Sequence, residues 1–215
     1  MVPSRSDSPK AFEPILERGR LTRYRIIEET ARLCVERRGA ELSVAEIASA
    51  AGVFPNQITY YFGSKDSLLV HAAFLGLLHD AKRIEQVGES APDAYHFRTD
   101  VAHAVLSLPS LPPVTRALAA GISRPELASV VNTHLKLLFR QSERYLRRLT
   151  AARGWELQRS ISSEVRTFWS AALGAMLLLC ANENGASSSD LDLAGMMSID
   201  DQHTADRIHA LRMNG

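Results

Sequence analysis

Apolar side chains recur every three or four positions along nearly the whole chain, and period-two alternation is never sustained, so the pattern predicts an all-α protein. Thr22 caps a first helix that carries Ile26, Ile27, Thr30, Ala31, Cys34 and Val35 on one side and stops near Arg38 at Gly39. Ser43-Val44-Ala45-Glu46 forms a capping box for a short second helix ending at Gly52. Pro55 suits the first turn of a third helix, because its missing amide hydrogen has no partner to lose there, and that helix runs to about Tyr61. Ser64 caps a longer fourth helix ending near Gly88, with Leu68, Leu69, Ala72, Leu75, Leu78 and Ile84 as its main apolar positions.

Residues 89–93 read as a short connection, after which Pro109, Pro112 and Pro113 interrupt two further helical pieces. Pro125 begins a long helix whose stripe of Leu127, Val130, Val131, Leu135, Leu138, Tyr145, Leu146 and Leu149 reaches Gly154, with Arg140, Arg144, Arg147 and Arg148 opposite. A last apolar helix runs from about Glu156 to Ala181 and stops at Asn182-Glu183-Asn184-Gly185, and weaker helical pieces end at Arg212. Its apolar run from Phe168 to Ala181 is shorter than the ~18–20 residues that cross a bilayer, so no membrane partner is expected.

Composition narrows the class. With 215 residues, 46% hydrophobic and 23% charged, the chain can bury a sizeable core and is not of a disordered or disulfide-scaffold type. The formal charge of +1 means that any nucleic-acid site is local. Cys34 and Cys180 lie far apart in apolar contexts that suit buried, reduced thiols, which points to the cytoplasm. Residues 1–17 read as a disordered leader, Pro- and Ser-rich without the order of a signal peptide. No phosphate loop, zinc-binding His-Glu-x-x-His or nucleophile elbow appears, and His96 and His103 share a spacing but no further ligand, so neither enzyme activity, cofactor nor metal is expected.

Three short helices, the second and third joined by a glycine turn, have the outline of a helix-turn-helix whose third helix enters the DNA major groove. Ala45, Ile47, Ala48, Val53, Ile58 and Phe62 supply its packing positions. Residues 47–53, Ile-Ala-Ser-Ala-Ala-Gly-Val, and 58–68, Ile-Thr-Tyr-Tyr-Phe-Gly-Ser-Lys-Asp-Ser-Leu, are specific in their combined spacing. From Leu21 to Phe74 the chain resembles the DNA-binding domain of tetracycline-repressor (TetR) family regulators. It departs from them in having Phe54-Pro55 where a small hydroxyl residue usually starts the third helix, and Thr59 where tyrosine is usual.

On the third helix, Asn56, Gln57, Thr59 and Tyr60 turn away from the packed side. Amides can bond bidentately to adenine, and the threonine methyl or the tyrosine ring can touch thymine. Asn56 can equally cap a turn, and Tyr60 can equally be a half-buried packing residue. Arg18, Arg20, Arg23 and Arg25 form a cationic cluster. Arg23 and Arg25 in a first helical turn would oppose the dipole, a choice that phosphate contact explains. Ser43 is a further phosphate candidate, and the resemblance adds Tyr61 and Lys65.

The resemblance also implies a C-terminal helical domain that dimerises and binds a small molecule, which divides the chain into a head over 18–64 and an effector and dimerisation domain over 65–215, linked by the fourth helix. Candidate pocket residues are Phe74, His103, Asn132, Phe139, Trp169 and Met176. The last apolar helix needs partners on several faces, supplied either by an intramolecular core or by a dimer interface through Phe168, Leu173, Leu177 and Cys180. The function expected is therefore that of a homodimeric repressor released from a palindromic double-stranded DNA operator by a small-molecule effector. The competing expectation is a helical ligand-binding or catalytic protein with a vestigial head.

Overall fold

Ser43 Oγ accepts from the Glu46 amide at 3.1 Å while Glu46 Oε2 accepts from the Ser43 amide at 2.8 Å, the reciprocal pair that starts α2 (Val44–Ala51). Gly52 ends that helix at φ 60°, a left-handed conformation that strains any side chain. α3 (Pro55–Phe62) opens on proline, and α4 (Lys65–Ser90) on Ser64, whose Oγ accepts from the Ser67 amide. Asp93 caps α5 (Ala94–Leu106), α6 (Leu111–Ser123) tolerates Pro112 and Pro113 in its first turn, and α7 (Pro125–Arg153) stops at left-handed Gly154. With α1 (Glu13–Glu36) and α8 (Ile161–Ala181) these are the α-helices among the described residues, which in the computed structural model are 13–37, 41–181 and 192–200.

Two expected boundaries move. α1 begins at Glu13, so residues 13–17 are helix rather than leader, Thr22 is interior, and Arg23 and Arg25 lie mid-helix rather than in a first turn. Pro14 falls where a helix tolerates proline, and nothing after it breaks the helix. α8 begins at Ile161, because Glu156 and Leu157 form β1, which pairs antiparallel with β2 (Ile199–Asp200). Two residues per strand are too few to appear as alternation, and the class stays all-α. The stop at Gly39, the 182–185 terminator, residues 201–215 and the first twelve residues of the expected leader lie outside the described residues.

Two apolar clusters share α4. The smaller joins Ile26, Ile27 and Ala31 of α1 to Ile47, Ala48, Ala51, Ile58 and Phe62, and takes Leu68 and Ala72 from α4. The larger takes Val70, Ala73, Phe74 and Leu77 from α4 and fills the space between α5, α6, α7 and α8. The stripe read from the sequence described mainly the first of these faces. Gly88 marks how closely the end of α4 approaches its neighbours: a Cβ there would run into the Tyr145 hydroxyl and the Phe97 ring.

α8 is long and apolar enough by length and composition to cross a membrane, yet Val165, Phe168, Trp169, Ala172, Ala175 and Met176 are buried in the larger cluster. Phe168 is thus core rather than interface, and Leu173 is half-buried against the same cluster. Leu177 and Leu178 remain 52% and 61% exposed. Cys180 is exposed and Cys34 half-buried, which corrects the reading of both thiols as buried; both are free. At the far end of the molecule, the buried Glu164 carboxylate accepts from the Ser198 amide at 2.6 Å, Ser198 Oγ at 2.7 Å and Arg159 Nε at 3.1 Å, pinning the segment that carries β2.

Candidate nucleic-acid interface

Asn56, Thr59 and Tyr60 are exposed on α3, opposite buried Ile58 and Phe62. Gln57 is half-buried, and its Oε1 accepts from the Phe54 amide at 3.0 Å, so the side chain serves as the cap of its own helix. That cap orients the side chain and uses one of the two lone pairs on Oε1, leaving the other lone pair and both amide hydrogens for a base edge.

The phosphate candidates divide. Ser43 is exposed, and its Oγ accepts from the Glu46 amide. The Ser43 amide and hydroxyl hold the Glu46 carboxyl below its ordinary range. Lys65 Nζ lies 3.1 Å from the Glu41 carboxylate, which a phosphate would have to replace. Tyr61 is half-buried, edge-on to Tyr60 with ring centroids 5.0 Å apart, and its hydroxyl lies close to Gly19 of α1. Arg18, Arg20 and Arg25 are exposed on α1.

Arg23 corrects its expectation. It stands three and four residues before Ile26 and Ile27, on the buried side of α1, and turns inward. Its guanidinium sits 5.1 Å from the centroid of the Phe62 ring at the back of α3, and its Nη2 lies 3.3 Å from His71 Nε2. Arginine only donates, so His71 Nε2 is the acceptor, and Nδ1 carries the hydrogen given to His134 Nε2 at 2.8 Å. The His134 ring stacks on Phe74 with centroids 5.0 Å apart.

Burial, then His134 and Arg23, push the His71 pKa down to about 4, and burial with Arg23 lowers that of His134. Both rings are therefore neutral near pH 7. A histidine whose pKa is lower folded than unfolded stabilises the fold fully above about pH 6.5 and progressively less down to about pH 4, because the unfolded chain binds the proton first. After a discount for partial solvent screening, this contributes about 1–2 kcal/mol. Urea denaturation across that range should show a steeper loss for the wild-type chain than for His71→Phe; equal slopes would disprove the assignment.

The same residues line a cleft of about 910 Å³ between α4 and α7, walled by Phe74, Leu75, Leu77, Leu78, Ile84, Leu138 and Trp169. Arg23, Tyr24 and Ile27 of α1 line it as well, together with His79, Lys82, Gln141, Arg144 and Arg148. Trp169 Nε1 donates to Ser142 Oγ at 2.9 Å. Burial pushes the Tyr145 hydroxyl pKa up, and that hydroxyl donates to the Glu85 carbonyl at 3.2 Å.

Of the six pocket candidates, Phe74 and Trp169 line this cleft. The other four do not: His103 is exposed on α5, Asn132 is exposed on α7, Phe139 packs under Arg166 and Met176 is core. Helical phase explains two of these placements, since the lining positions of α7 run 134, 137, 138, 141, 142, 144, 145 and 148, and both Asn132 and Phe139 fall outside that series. The mixed apolar and polar character of that stripe was its signal in the sequence.

Residues 26–72 match the family model of bacterial regulatory proteins, tetR family, and residues 94–198 match that of the bacterial transcriptional repressor C-terminal domain. Among solved structures, a proposed transcriptional regulator from Rhodococcus sp. RHA1 shares 28% identity at a TM-score of 0.66, over 81% of this chain and 91% of its own. The TetR-family regulator from Cytophaga hutchinsonii has the same fold at 16% identity and a TM-score of 0.57, over 84% and 96%. So does the multidrug binding protein EbrR, solved with imidazole, at 19% and 0.54, over 92% and 97%. Curated proteins provide no match.

Proposed function

We propose, from the premise that the chain belongs to the tetR family of bacterial regulatory proteins, that it is a repressor released from a palindromic operator by a small molecule held between α4 and α7. It is a sequence-specific DNA-binding transcriptional regulator, and regulators of this family generally act by binding DNA rather than by catalysis. In this reading the head spans residues 18–64 and acts in the cytoplasm. Asn56, Gln57, Thr59 and Tyr60 read bases, while Ser43, Tyr61, Lys65 and the exposed α1 arginines hold phosphates. A second copy of the chain covers the exposed end of α8 at Leu177 and Cys180, which gives the two heads that a palindrome needs.

One observation carries the reading: Arg23, His71 and His134 line the cleft, and Arg23 also touches Phe62 at the back of the reading helix. A ligand of mainly apolar character in that cleft therefore meets groups that support α3. Selection of operators from randomised duplexes, followed by salt titration, tests DNA binding; failure to enrich any duplex would remove the function. On the selected site, Gln57→Ala should cost roughly 1–3 kcal/mol and relax preference at one position. Lys65→Ala should instead weaken all sequences about equally and reduce the salt slope by about one. Equal losses on specific and random DNA for Gln57→Ala would take it out of the base-reading set.

A further inference from the structure

We propose that Phe54 reads the 5-methyl group of a pyrimidine in the operator, which is thymine in ordinary DNA and, by the same chemistry, 5-methylcytosine. The proposal rests on α3 being the reading helix. Phe54 is the residue before the first turn of α3 and is 75% exposed. A single exposed apolar residue is ordinary on a protein surface, so exposure alone says little. Its place says more.

The N-caps of α2, α4 and α5 are Ser43, Ser64 and Asp93, each of which accepts a backbone hydrogen bond into its own helix. The cap residues of α3, α6 and α7 make no such bond, and each of these helices carries proline in its first turn; α3 alone among the three has an aromatic residue at the cap. Phenylalanine occupies the cap, no side chain there can accept, and Gln57 reaches back to hold the Phe54 amide instead. What sets α3 apart is the exposed aromatic ring at its cap position.

The backbone that carries the ring is well anchored. Pro55 restricts Phe54 to extended backbone, observed at φ −80° and ψ 146°, and the preceding Val53 amide donates to the Ala48 carbonyl at 3.0 Å. The N-terminal end of a recognition helix is the part that contacts base edges. A phenyl ring neither donates nor accepts hydrogen bonds, and the apolar feature of the major groove is the C5 methyl of thymine. Phe54 can therefore distinguish T from C and from uracil without adding charge, whereas a ring that merely wedges between bases would be indifferent to the methyl.

The test uses the full chain and its selected operator, with each thymine replaced by uracil and each cytosine by 5-methylcytosine, one symmetric pair of positions at a time. Wild-type protein should bind about 3- to 5-fold more weakly per half-site when the contacted thymine becomes uracil. Placing cytosine there should weaken binding, and 5-methylcytosine should restore part of it. Phe54→Ala should lose as much on the thymine operator yet show no T-to-U difference at that pair, with its salt slope and its responses elsewhere unchanged. Phe54→Leu should retain part of the difference, and circular dichroism verifies that both variants are folded. Additive losses for Phe54→Ala and uracil at every position, or a wild-type chain indifferent to all methyl changes, overturn the proposal. Absence of any selected operator with wild-type protein would instead overturn DNA reading itself.

Discussion

Glu164→Ala is expected to cost about 2–4 kcal/mol of stability. The carboxylate is 1% exposed and accepts from three donors on two segments, the Ser198 amide and hydroxyl and the Arg159 guanidinium. Alanine leaves a half-buried amide unsatisfied and a cation without its partner. Arg159 also donates to the Met196 carbonyl at 2.6 Å and is partly exposed, so it can recover hydration, which keeps the cost below that of a fully buried pair.

Leu193, Met197 and Ile199 are buried behind this clasp, so the variant should also speed hydrogen exchange across residues 192–200 before global unfolding. Glu164→Gln keeps an acceptor for the Ser198 amide and should lose about half as much. Urea denaturation measures both. A loss under about 1 kcal/mol for the alanine variant would mean that Arg98, which donates to the Ile199 carbonyl at 2.6 Å, holds the segment without Glu164.

Helix ends governed by neighbouring residues were legible in the sequence. The Ser43–Glu46 box, left-handed Gly52 and Gly154, and the Ser64 cap each depend on groups within a turn, and each appears at its expected place. What failed depended on distant partners. Thr22 is chemically fit to be a cap, but an uninterrupted helix upstream overrides it. The charge of Arg23 suggests a phosphate ligand, whereas its phase with Ile26 and Ile27 puts it inside, where the Phe62 ring and a neutral histidine receive the cation.

The all-round apolar pattern of α8 required partners without identifying them. Phe168 and Met176 found theirs inside the same chain, while Leu177 and Leu178 did not. The His71–His134 pair joins residues 63 positions apart, and no local pattern brings such a pair together.

Arg23 is where the largest functional effect is expected. A ligand filling the cleft meets Arg23, His71 and His134, and any preference it has for one placement of these groups is also a preference for one placement of Phe62 and α3. If that placement suits the operator poorly, ligand and DNA weaken each other by the same factor, typically about 5- to 150-fold. Arg23→Met keeps an apolar stem of similar length over Phe62 but cannot donate to His71. Coupling should therefore shrink toward unity while operator affinity without ligand changes by no more than a few-fold. The measurement is the affinity of an inducer, found by thermal-shift screening, with and without operator for both proteins. Undiminished coupling in Arg23→Met would route the signal elsewhere, for instance through Asp80 and Ser110, which join α4 to α6 at 2.5 Å. Tighter ligand binding on operator would reverse the sign and make the ligand a corepressor. A uniform loss of DNA affinity with a salt slope reduced by about one would return Arg23 to the phosphate-binding set. The inward geometry predicts the opposite: a residue whose cation is already held by Phe62 and His71 leaves the salt slope unchanged when it is replaced.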